Sequence, residues 1–380
     1  MSIIQEAKAK NKKIFFQMGG QGSPWYRELK KIYDSNEIKT FFKTCFDVFN
    51  EMRPLTEGAI ATPKGLNPEE WLKNENSIPS NEYLSTAGVS LVMIQMTQLA
   101  YYELFRNKYP YSEIQNIVAG ATGHSQGLIS TTLLGFGLEN QEYYNALRFY
   151  MKYIIYLALR AQEVFPYIEP NKEELQLSEE LNLKDPSPMV VVLGSDHKTI
   201  SELVNQFNQK YQEEKPIYIG LYNTPNNRVL SSYRKSLLLF YKENMHFIEE
   251  NKIKYIFLKT TCPFHSPYMD PSVPKVLEDI KKENFPYNTK DFKFPIYTFS
   301  NGQDYRTSED LLPTMTKDLL VNTLHWDLAL RSLTQLDVSY IIDFGPGKTS
   351  QRLSEETLQS LSFSIPILCM ANPKEANEIL

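Results

Sequence analysis

The feature that most constrains the fold of this chain is an apolar run that passes directly into a glycine-framed pentapeptide. Residues Ile114 to Ala121 are typical of a buried strand, and Gly123-His124-Ser125-Gln126-Gly127 and a small-residue helix start follow. In Gly-x-Ser-x-Gly the glycines allow a sharp strand-to-helix turn that lifts the serine hydroxyl above the sheet. The pentapeptide also occurs by chance, so an ordinary glycine-rich loop is the alternative. The strand and helix predicted around it favour Ser125 as a nucleophile.

Other segments repeat this alternation of strand and helix. An apolar run over Lys13 to Met18 ends in Gly19-Gly20-Gln21-Gly22, and apolar residues at helical spacing follow it. The remaining predicted elements are helices over Ser35 to Met52, ended by Pro54, and Ser85 to Lys108, and strands near Phe294 to Phe299 and Ser339 to Phe344. Together they predict an α/β fold with a largely parallel, α/β-hydrolase-like sheet.

A second unit is predicted in the middle of the chain. The polar, proline-containing segment Glu169 to Pro188 is typical of a linker. From Met189 to Thr261 the expected order is strand, helix, strand, strand, helix, strand, which is the ferredoxin-like arrangement. We therefore expect residues 1–187 and 262–380 to form the core and residues 188–261 to form an inserted ferredoxin-like subdomain.

Composition excludes several classes of function. The chain of 380 residues has a net charge of −5 and no basic run interleaved with aromatic residues, so we expect no nucleic-acid partner. Residues Met1 to Lys13 are polar and no apolar stretch is long enough to span a bilayer, which predicts a cytoplasmic protein without membrane insertion. The three scattered cysteines predict buried thiols and neither a disulfide framework nor a metal site. Cys262 in particular lacks the surroundings of a nucleophile.

A serine nucleophile needs a base and an oxyanion site. The main-chain amide of Gln126, at the start of the helix, is a natural oxyanion donor. Among the histidines, His124 should diverge from Ser125 and support the loop, and the others outside the site are expected to be solvated or packed: His197, His246 and His325. His265 follows the end of a predicted strand and is the preferred base, although position alone leaves that choice open.

Several motifs taken in order indicate a family. They are Gly20-Gln21-Gly22-Ser23, Gly123-His124-Ser125-Gln126-Gly127, Pro263-Phe264-His265-Ser266 and Phe344-Gly345-Pro346-Gly347. With a ferredoxin-like inset before the histidine, the chain resembles the acyl-CoA:acyl-carrier-protein transacylase family. Longer stretches, among them GGQGSPWYRELKKIY and KFPIYTFSNGQDYR, are most similar to the acetyltransferase (starter acyltransferase) domain of the fungal type I fatty acid synthase β subunit.

The resemblance implies a Ser125–His265 dyad that forms an acyl-serine, with acyl-CoA and a phosphopantetheinyl acyl carrier protein as substrates and partners. It implies no tightly bound cofactor and no metal. Gln21 would support the oxyanion loop by orienting the region of the Gln126 amide, and a backbone carbonyl within 298–301 would orient the histidine. Asn223 matches a position that lines the cleft, although the following Val229-Leu230-Ser231-Ser232 departs from the family pattern.

The resemblance also bears on the acyl group. Malonyl-specific relatives carry an arginine that binds the free carboxylate, and alignment on Gln162-Glu163 places Leu157 there. A carboxylate buried against leucine would be unpaired, which predicts an uncharged acyl group, acetyl or longer, in fatty acid or polyketide synthesis. If the register is shifted by one turn, Arg148, Lys152 or Arg160 takes that position and malonyl transfer becomes the alternative. For each of these three we favour a solvated or carrier-docking charge.

Two other functions are compatible with parts of this pattern. A thioesterase or proofreading acyl hydrolase would use the same serine and histidine. A non-enzymatic scaffold that docks carrier proteins is disfavoured, because Gln21, Ser125 and His265 are all present.

Overall fold

A five-stranded parallel sheet forms the centre of the larger part of the protein. The computed structural model describes residues 2–22 and 24–380. The strands of this sheet, in spatial order, are β10 (Ile367–Cys369), β9 (Val338–Asp343), β1 (Lys13–Met18), β2 (Val118–Gly123) and β7 (Ile296–Tyr297). All four strand pairs are parallel. The carboxyl ends of β1, β2 and β9 therefore lie at one edge, where ligand sites of such sheets form.

The second sheet also has five strands. In spatial order they are β6 (Lys254–Phe257), β3 (Met189–Leu193), β5 (Asn227–Ser231), β4 (Tyr218–Thr224) and β8 (Leu324–His325). The first four are antiparallel to their neighbours, whereas β8 pairs with β4 in parallel. The order of elements over residues 189–257 is thus β-α-β-β-α-β, as expected. Strand β8 adds to this sheet a segment from outside residues 188–261.

Helices pack against both sheets. In the described residues they are α1 (Ile3–Lys10), α2 (Tyr26–Ser35), α3 (Lys39–Thr56), α4 (Pro68–Lys73), α5 (Asn81–Ser85), α6 (Ala87–Lys108), α7 (Tyr111–Ile114), α8 (Gly127–Gly135), α9 (Asn140–Val164), α10 (Lys172–Glu180), α11 (His197–Lys210), α12 (Arg234–Glu250), α13 (Ser272–Ile280), α14 (Leu311–Leu320), α15 (Trp326–Arg331), α16 (Thr349–Ser360) and α17 (Pro373–Ile379). Short 3-10 turns lie at Glu75–Ser77, Pro267–Met269, Lys281–Glu283, Thr289–Asp291, Tyr305–Thr307 and Ser332–Thr334.

Two apolar cores correspond to the two sheets. The larger core includes Phe15 and Phe16 of β1 and the length of α6, which is buried on nearly all sides. The smaller core is built from β3, β5 and β6 with α11 and α12, and Leu177 of α10 belongs to it. Helix α10 therefore packs with the small sheet.

Three local expectations were wrong. The segment 169–188, expected to be a linker, contains α10, which starts with a capping box between Asn171 and Glu174. Pro54 lies inside the last turn of α3, which continues to Thr56. Strand β2 begins at Val118, because α7 occupies the start of the apolar run from Ile114.

Within the described ranges, no helix combines the length and the apolar character that crossing a membrane requires.

Candidate active site

Ser125 lies at a sharp turn between β2 and α8. Its φ of 50° is in the left-handed region, where a non-glycine residue is under strain. The flanking glycines are required by close approach: a Cβ on Gly127 would lie 2.4 Å from the Gly19 carbonyl oxygen, and one on Gly123 would lie 2.1 Å from the Gly127 carbonyl carbon. The turn therefore has the geometry expected of a nucleophile elbow and presents the hydroxyl at the carboxyl edge of the sheet.

His265 reaches Ser125 from the segment that follows β6. Its Nε2 lies 2.8 Å from the Ser125 Oγ, and its Nδ1 lies 2.8 Å from the carbonyl oxygen of Asn322. The main-chain N–H of His265 donates to the carbonyl of Leu320 at 2.9 Å. The loop after α14 thus fixes both the backbone and the ring of His265.

The partner expected for the histidine ring was wrong. A carbonyl within 298–301 was predicted, but the Phe299 carbonyl accepts from the main-chain N–H of His325. Phe299 instead packs its ring edge against His265, with the centroids 5.5 Å apart. The orienting carbonyl belongs to Asn322, which has no side-chain motif to mark it.

Burial sets the protonation state of this histidine. It lowers the pKa of His265 to about 4, and the hydrogen bond to the Asn322 carbonyl opposes that shift. The ring is therefore neutral near pH 7. Because Nδ1 faces a carbonyl it carries the proton, and Nε2 presents its lone pair to the serine.

A potential oxyanion site lies at the start of α8. No hydrogen-bond partner is found for the main-chain N–H of Gln126 in the described part of the chain. The side chain of Gln126 points away and donates to the Leu91 carbonyl at 2.9 Å. A free N–H at a helix N-terminus beside the serine is the geometry that stabilises a developing negative charge.

Gln21 lies in the same cleft, but its side chain has other partners than expected. It donates to the Ser90 Oγ at 2.6 Å and lies 3.4 Å from the Thr260 hydroxyl. The side chain therefore ties the loop after β1 to α6 and to the segment after β6. It does not contact the Gln126 amide as predicted, because Ser90 and Thr260 occupy its two ends.

His124 and Asn223 connect the two parts of the molecule. The Nε2 of His124 lies 2.8 Å from the Oδ1 of Asn223, and Asn223 donates in turn to Asn227 at 3.1 Å. The His124 ring also packs on Trp326, with the centroids 5.1 Å apart. Burial lowers the pKa of His124 to about 4, opposed by the bond to Asn223. His124 therefore supports the loop, as expected, and Asn223 holds it from β4.

The cleft that contains Ser125 and His265 has a volume of about 300 Å³. Its polar lining comes from Gln21, His124, Thr260 and Lys259 beside the dyad, and Lys259 is exposed. Its apolar lining comes from both parts of the molecule: Met189, Leu221, Phe257, Leu258 and Phe264. Sequence analysis identified none of these apolar residues as lining, because strand patterns do not show which strand end meets the serine.

The residues of α9 proposed to determine acyl-group specificity lie outside this lining. Leu157 is buried in α9. Arg160, on the same helix, pairs with Asp279 at 2.6 Å and with Glu163 at 2.7 Å. Arg148 pairs with Glu51, and Lys152 pairs with Glu283 at 2.7 Å. These three cations are engaged by acidic residues and do not reach the cleft.

The remaining candidates have structural positions. Cys45, Cys262 and Cys369 are buried free thiols, and burial raises the pKa of Cys262. His197 and His246 are exposed, and His325 stacks on Tyr222 with the centroids 4.5 Å apart. Across residues 2–22 and 24–380, no three His, Cys, Asp or Glu side chains are grouped to hold a metal ion.

Comparisons with known proteins agree on one family. The family model for "Starter unit:ACP transacylase in aflatoxin biosynthesis" matches residues 16–268, more than half of the chain. The fatty acid synthase subunit beta of Saccharomyces cerevisiae is 26% identical over 365 residues, which cover 90% of this chain and 18% of that protein. The fatty acid synthase beta subunit aflB of Emericella nidulans is 24% identical over 369 residues, which cover 91% of this chain and 17% of that protein. The chain thus spans less than a fifth of the length of these relatives.

A solved structure shares the fold over the whole chain. The acyl carrier protein S-malonyltransferase of Vibrio cholerae O1 superimposes with a TM-score of 0.67, covering 97% of this chain and 100% of that one, at 14% identity. Likeness at this identity shows the fold alone, and it confirms the expected α/β architecture.

Proposed function

The chain belongs to the starter unit:ACP transacylase family, and we propose that it moves an uncharged acyl group from coenzyme A to the phosphopantetheine thiol of an acyl carrier protein. The acyl group would be carried on Ser125, in fatty acid or polyketide synthesis. The proposal depends chiefly on the 2.8 Å contact between the Ser125 Oγ and the His265 Nε2, beside a Gln126 N–H that has no partner among residues 2–22 and 24–380.

The first half-reaction loads the serine. The Ser125 Oγ attacks the thioester carbonyl while its proton passes to the His265 Nε2. The carbonyl oxygen becomes an oxyanion, which the Gln126 N–H stabilises at the start of α8. When the tetrahedral intermediate collapses, the C–S bond breaks, and His265 returns the proton to the departing coenzyme A thiolate.

The second half-reaction runs the same steps in reverse with a different thiol. His265 takes the proton of the pantetheine thiol, and the sulfur attacks the ester carbonyl of acyl-Ser125. The new C–S bond forms, the ester C–O bond breaks, and the proton returns to the Ser125 Oγ. Because burial lowers the pKa of His265 to about 4, the ring is neutral near pH 7, and its Nε2 lone pair can accept a proton at the start of each half.

The lining of the cleft supports an uncharged acyl group. Five of its side chains are apolar, and Arg160 is neutralised by Asp279 and Glu163 away from the cleft. Leu157 itself is buried in α9 and does not line the cleft. Arg148 and Lys152 of the same helix are also paired with acidic residues, so an acyl carboxylate would find no unpaired cation among these three residues of α9.

Lys259 supplies the positive charge at the cleft. Because it is exposed and no ion pair to it is found in the described residues, it suits a phosphate better than a buried carboxylate. Both donor and acceptor would bring one, since coenzyme A and the pantetheine arm of a carrier protein both carry phosphate. We propose that Lys259 contacts this shared group.

The test is intact-protein mass spectrometry after brief incubation with acetyl-, butyryl-, octanoyl-, palmitoyl- and malonyl-CoA. We expect one acyl adduct per chain from one or more of the uncharged donors and none from malonyl-CoA. In Ser125→Ala the adduct should be absent, because among the described residues Ser125 is the one whose hydroxyl lies at hydrogen-bond distance from the His265 Nε2. Thr334→Ala, at an exposed hydroxyl outside the cleft lining, is the control and should keep the adduct.

Three outcomes would each contradict one part of the proposed function. A malonyl adduct would mean that the acyl group is charged and that the assignment of Leu157 is wrong. Rapid loss of the adduct to water, with no gain on adding a carrier protein, would favour the thioester hydrolase that uses the same dyad. An adduct in Ser125→Ala would remove Ser125 from the chemistry.

A further inference from the structure

A buried carboxylate is connected to His265 through a single residue, Asn322. Asp318, in the last turn of α14, is 1% exposed. Its Oδ2 accepts from the Tyr305 hydroxyl at 2.6 Å, and its Oδ1 accepts from the side-chain amide of Asn322 at 2.7 Å. Because an amide nitrogen can only donate, the carboxylate acts as the acceptor on that side.

The position of Asp318 is unfavourable for stability alone. The last turn of a helix carries partial negative charge, which disfavours an acidic residue there. Burial raises the pKa of Asp318, and its polar neighbours, Tyr305, Asn322 and Ser300, are all uncharged donors. A desolvated acid at a helix C-terminus, hydrogen-bonded to uncharged donors, costs stability. Its presence there therefore suggests a functional role.

The same short segment holds His265 at two points. The Leu320 carbonyl accepts from the His265 main-chain N–H, and the Asn322 carbonyl accepts from the His265 Nδ1. The Asn322 side chain is in turn fixed by Asp318. A continuous path therefore runs from the carboxylate through one residue to the imidazole ring.

We propose that Asp318 is a positioning residue for the dyad: through Asn322 it fixes the ring of His265, and its negative charge stabilises the imidazolium that forms when Ser125 gives up its proton. This inference rests on the proposed acyl transfer and adds to it an acid whose carboxylate makes no hydrogen bond to the histidine, although a hydrogen bond to the main chain of Asp318 also raises the pKa of His265. It differs from a triad, in which the carboxylate accepts directly from Nδ1.

The Nδ1 proton stays on the histidine throughout, and Asp318 takes no part in the proton transfer. The Ser125 proton moves to the His265 Nε2, while the Nδ1 proton remains in its bond to the Asn322 carbonyl. Asp318 gains no proton in this step. Its contribution is the favourable interaction between a carboxylate and a transient cation in a buried site, where screening by water is weak.

Few other charged groups surround this pair. The ring of His124 and the exposed ammonium of Lys259 face the cleft on the His265 side. Tyr305 from its 3-10 turn and Tyr153 of α9 face Asp318, and Lys317, the next residue of α14, is exposed. Among the titratable side chains near it, Asp318 thus supplies the negative charge.

The test measures the rate at which a fluorophosphonate labels Ser125 as a function of pH. The probe forms an O–P bond with the serine oxygen as fluoride leaves, so its rate follows the activation of Ser125 whatever acyl group is used. In Asp318→Asn we expect labelling to slow roughly tenfold. The acidic limb of the profile should move to lower pH by roughly half a unit or more, because loss of a nearby negative charge lowers the pKa of His265. A limb that stays in place would overturn the electrostatic role.

Two further variants keep the proposal falsifiable if Asp318→Asn folds poorly. Asn322→Ala retains the carboxylate and the main-chain carbonyl but breaks the link between them, so labelling should slow several-fold with the limb unmoved; a wild-type rate would overturn the positioning role. Tyr109→Phe removes a buried hydrogen bond to the Ser2 Oγ, away from the cleft, and keeps Asp318 with all of its donors. It should lower stability and leave the labelling profile unchanged, and a shifted limb there would contradict the proposal.

The outcomes separate this inference from the proposed function. If acyl-CoA donors fail to acylate wild-type Ser125 but the fluorophosphonate profile still shifts in Asp318→Asn, the acyl transfer is wrong and the role of Asp318 holds. If acylation is seen and the profile does not shift, only the role of Asp318 is wrong.

Discussion

Both residues of the dyad adopt a backbone conformation that ordinary residues avoid. Ser125 has a φ of 50° and His265 a φ of 57°. Each costs on the order of 1 kcal/mol relative to a relaxed backbone. The main-chain bonds from Gly127 to the His124 carbonyl and from His265 to the Leu320 carbonyl hold the two turns in place. Both reacting residues therefore lie in strained backbone conformations, and these main-chain bonds fix the contact between their side chains before substrate arrives.

Gln21 provides a residue-scale prediction. Its side chain ties the loop after β1 to Ser90 and Thr260, and that loop faces the oxyanion site. Gln21→Ala should slow acylation of Ser125 by roughly 10²-fold, since a loosened oxyanion site loses much of its stabilisation. Quenched-flow mass spectrometry of the acyl adduct measures this rate. Gln5→Ala, on α1 and away from the cleft, is the control; equal rates in Gln21→Ala and the control would remove Gln21 from the site.

At this scale the sequence predicts side chains better than backbone partners. Ser125 and His265 lie in motifs whose residue types are required by the chemistry, and the structure brings their side chains together. The partner of His265 was missed because it is the main-chain carbonyl of Asn322, a group that every residue carries. Asp318 was missed for a related reason: it acts through Asn322 and lies outside the motifs.

Elements were predictable where periodicity was strong. Strand β1 was expected at Lys13 to Met18 and lies there, and the six elements of residues 189–257 follow the expected order. Helix α10 was missed because its sequence is highly charged and flanked by prolines, although Leu177 buries one face. Strand β8 has only two residues, and no local pattern could show that it pairs with β4.

The junction of β1, β2 and α8 gives an element-scale prediction. A Cβ on Gly127 would lie 2.4 Å from the Gly19 carbonyl oxygen and 2.6 Å from that of Met18, both of which are backbone atoms that cannot easily move. Gly127→Ala should therefore push α8 from β1, destabilise the protein by about 1–3 kcal/mol and reduce acylation of Ser125. Urea unfolding and adduct formation measure the two effects.

Gly135→Ala is the matched control at the other end of α8. There the new Cβ would meet the side chains of Phe292 and Ile296, at 2.8 to 3.0 Å, which can adjust. This variant should lose some stability and keep its acylation rate. If Gly127→Ala acylates as fast as Gly135→Ala, close packing at the elbow does not set the position of the serine.

The cleft is a property of the whole molecule. Ser125 comes from the large sheet, Met189 and Leu221 come from the small one, and the bond between His124 and Asn223 joins the two beside the nucleophile. These contacts link residues about a hundred positions apart, so periodicity along the chain contains no information about them. Asn223 was expected to line the cleft and is not among its lining residues; only the tertiary arrangement shows that it contacts His124.

The buried titratable groups of this cleft make the folded state sensitive to acid. Burial lowers the pKa of His124 and His265 to about 4, below the ordinary histidine value, so the unfolded chain binds protons that the folded protein does not. Stability should then fall as pH decreases from about 6.5 toward 4. Asp343 acts in the opposite sense, because burial raises its pKa to about 6 and its folded form gains a proton as pH falls.

His265→Gln isolates one of the two histidine contributions. We expect the variant to lose less stability than the wild type between pH 7 and pH 5, by roughly 2 kcal/mol, since a shift of one pKa unit corresponds to about 1.4 kcal/mol. Urea unfolding at the two pH values measures the difference, and His246→Gln, at an exposed histidine, is the control that should follow the wild type. If His265→Gln and the wild type lose equal stability, burial does not lower the pKa of His265. The neutral state that the histidine needs as a general base would then have to be explained by another interaction.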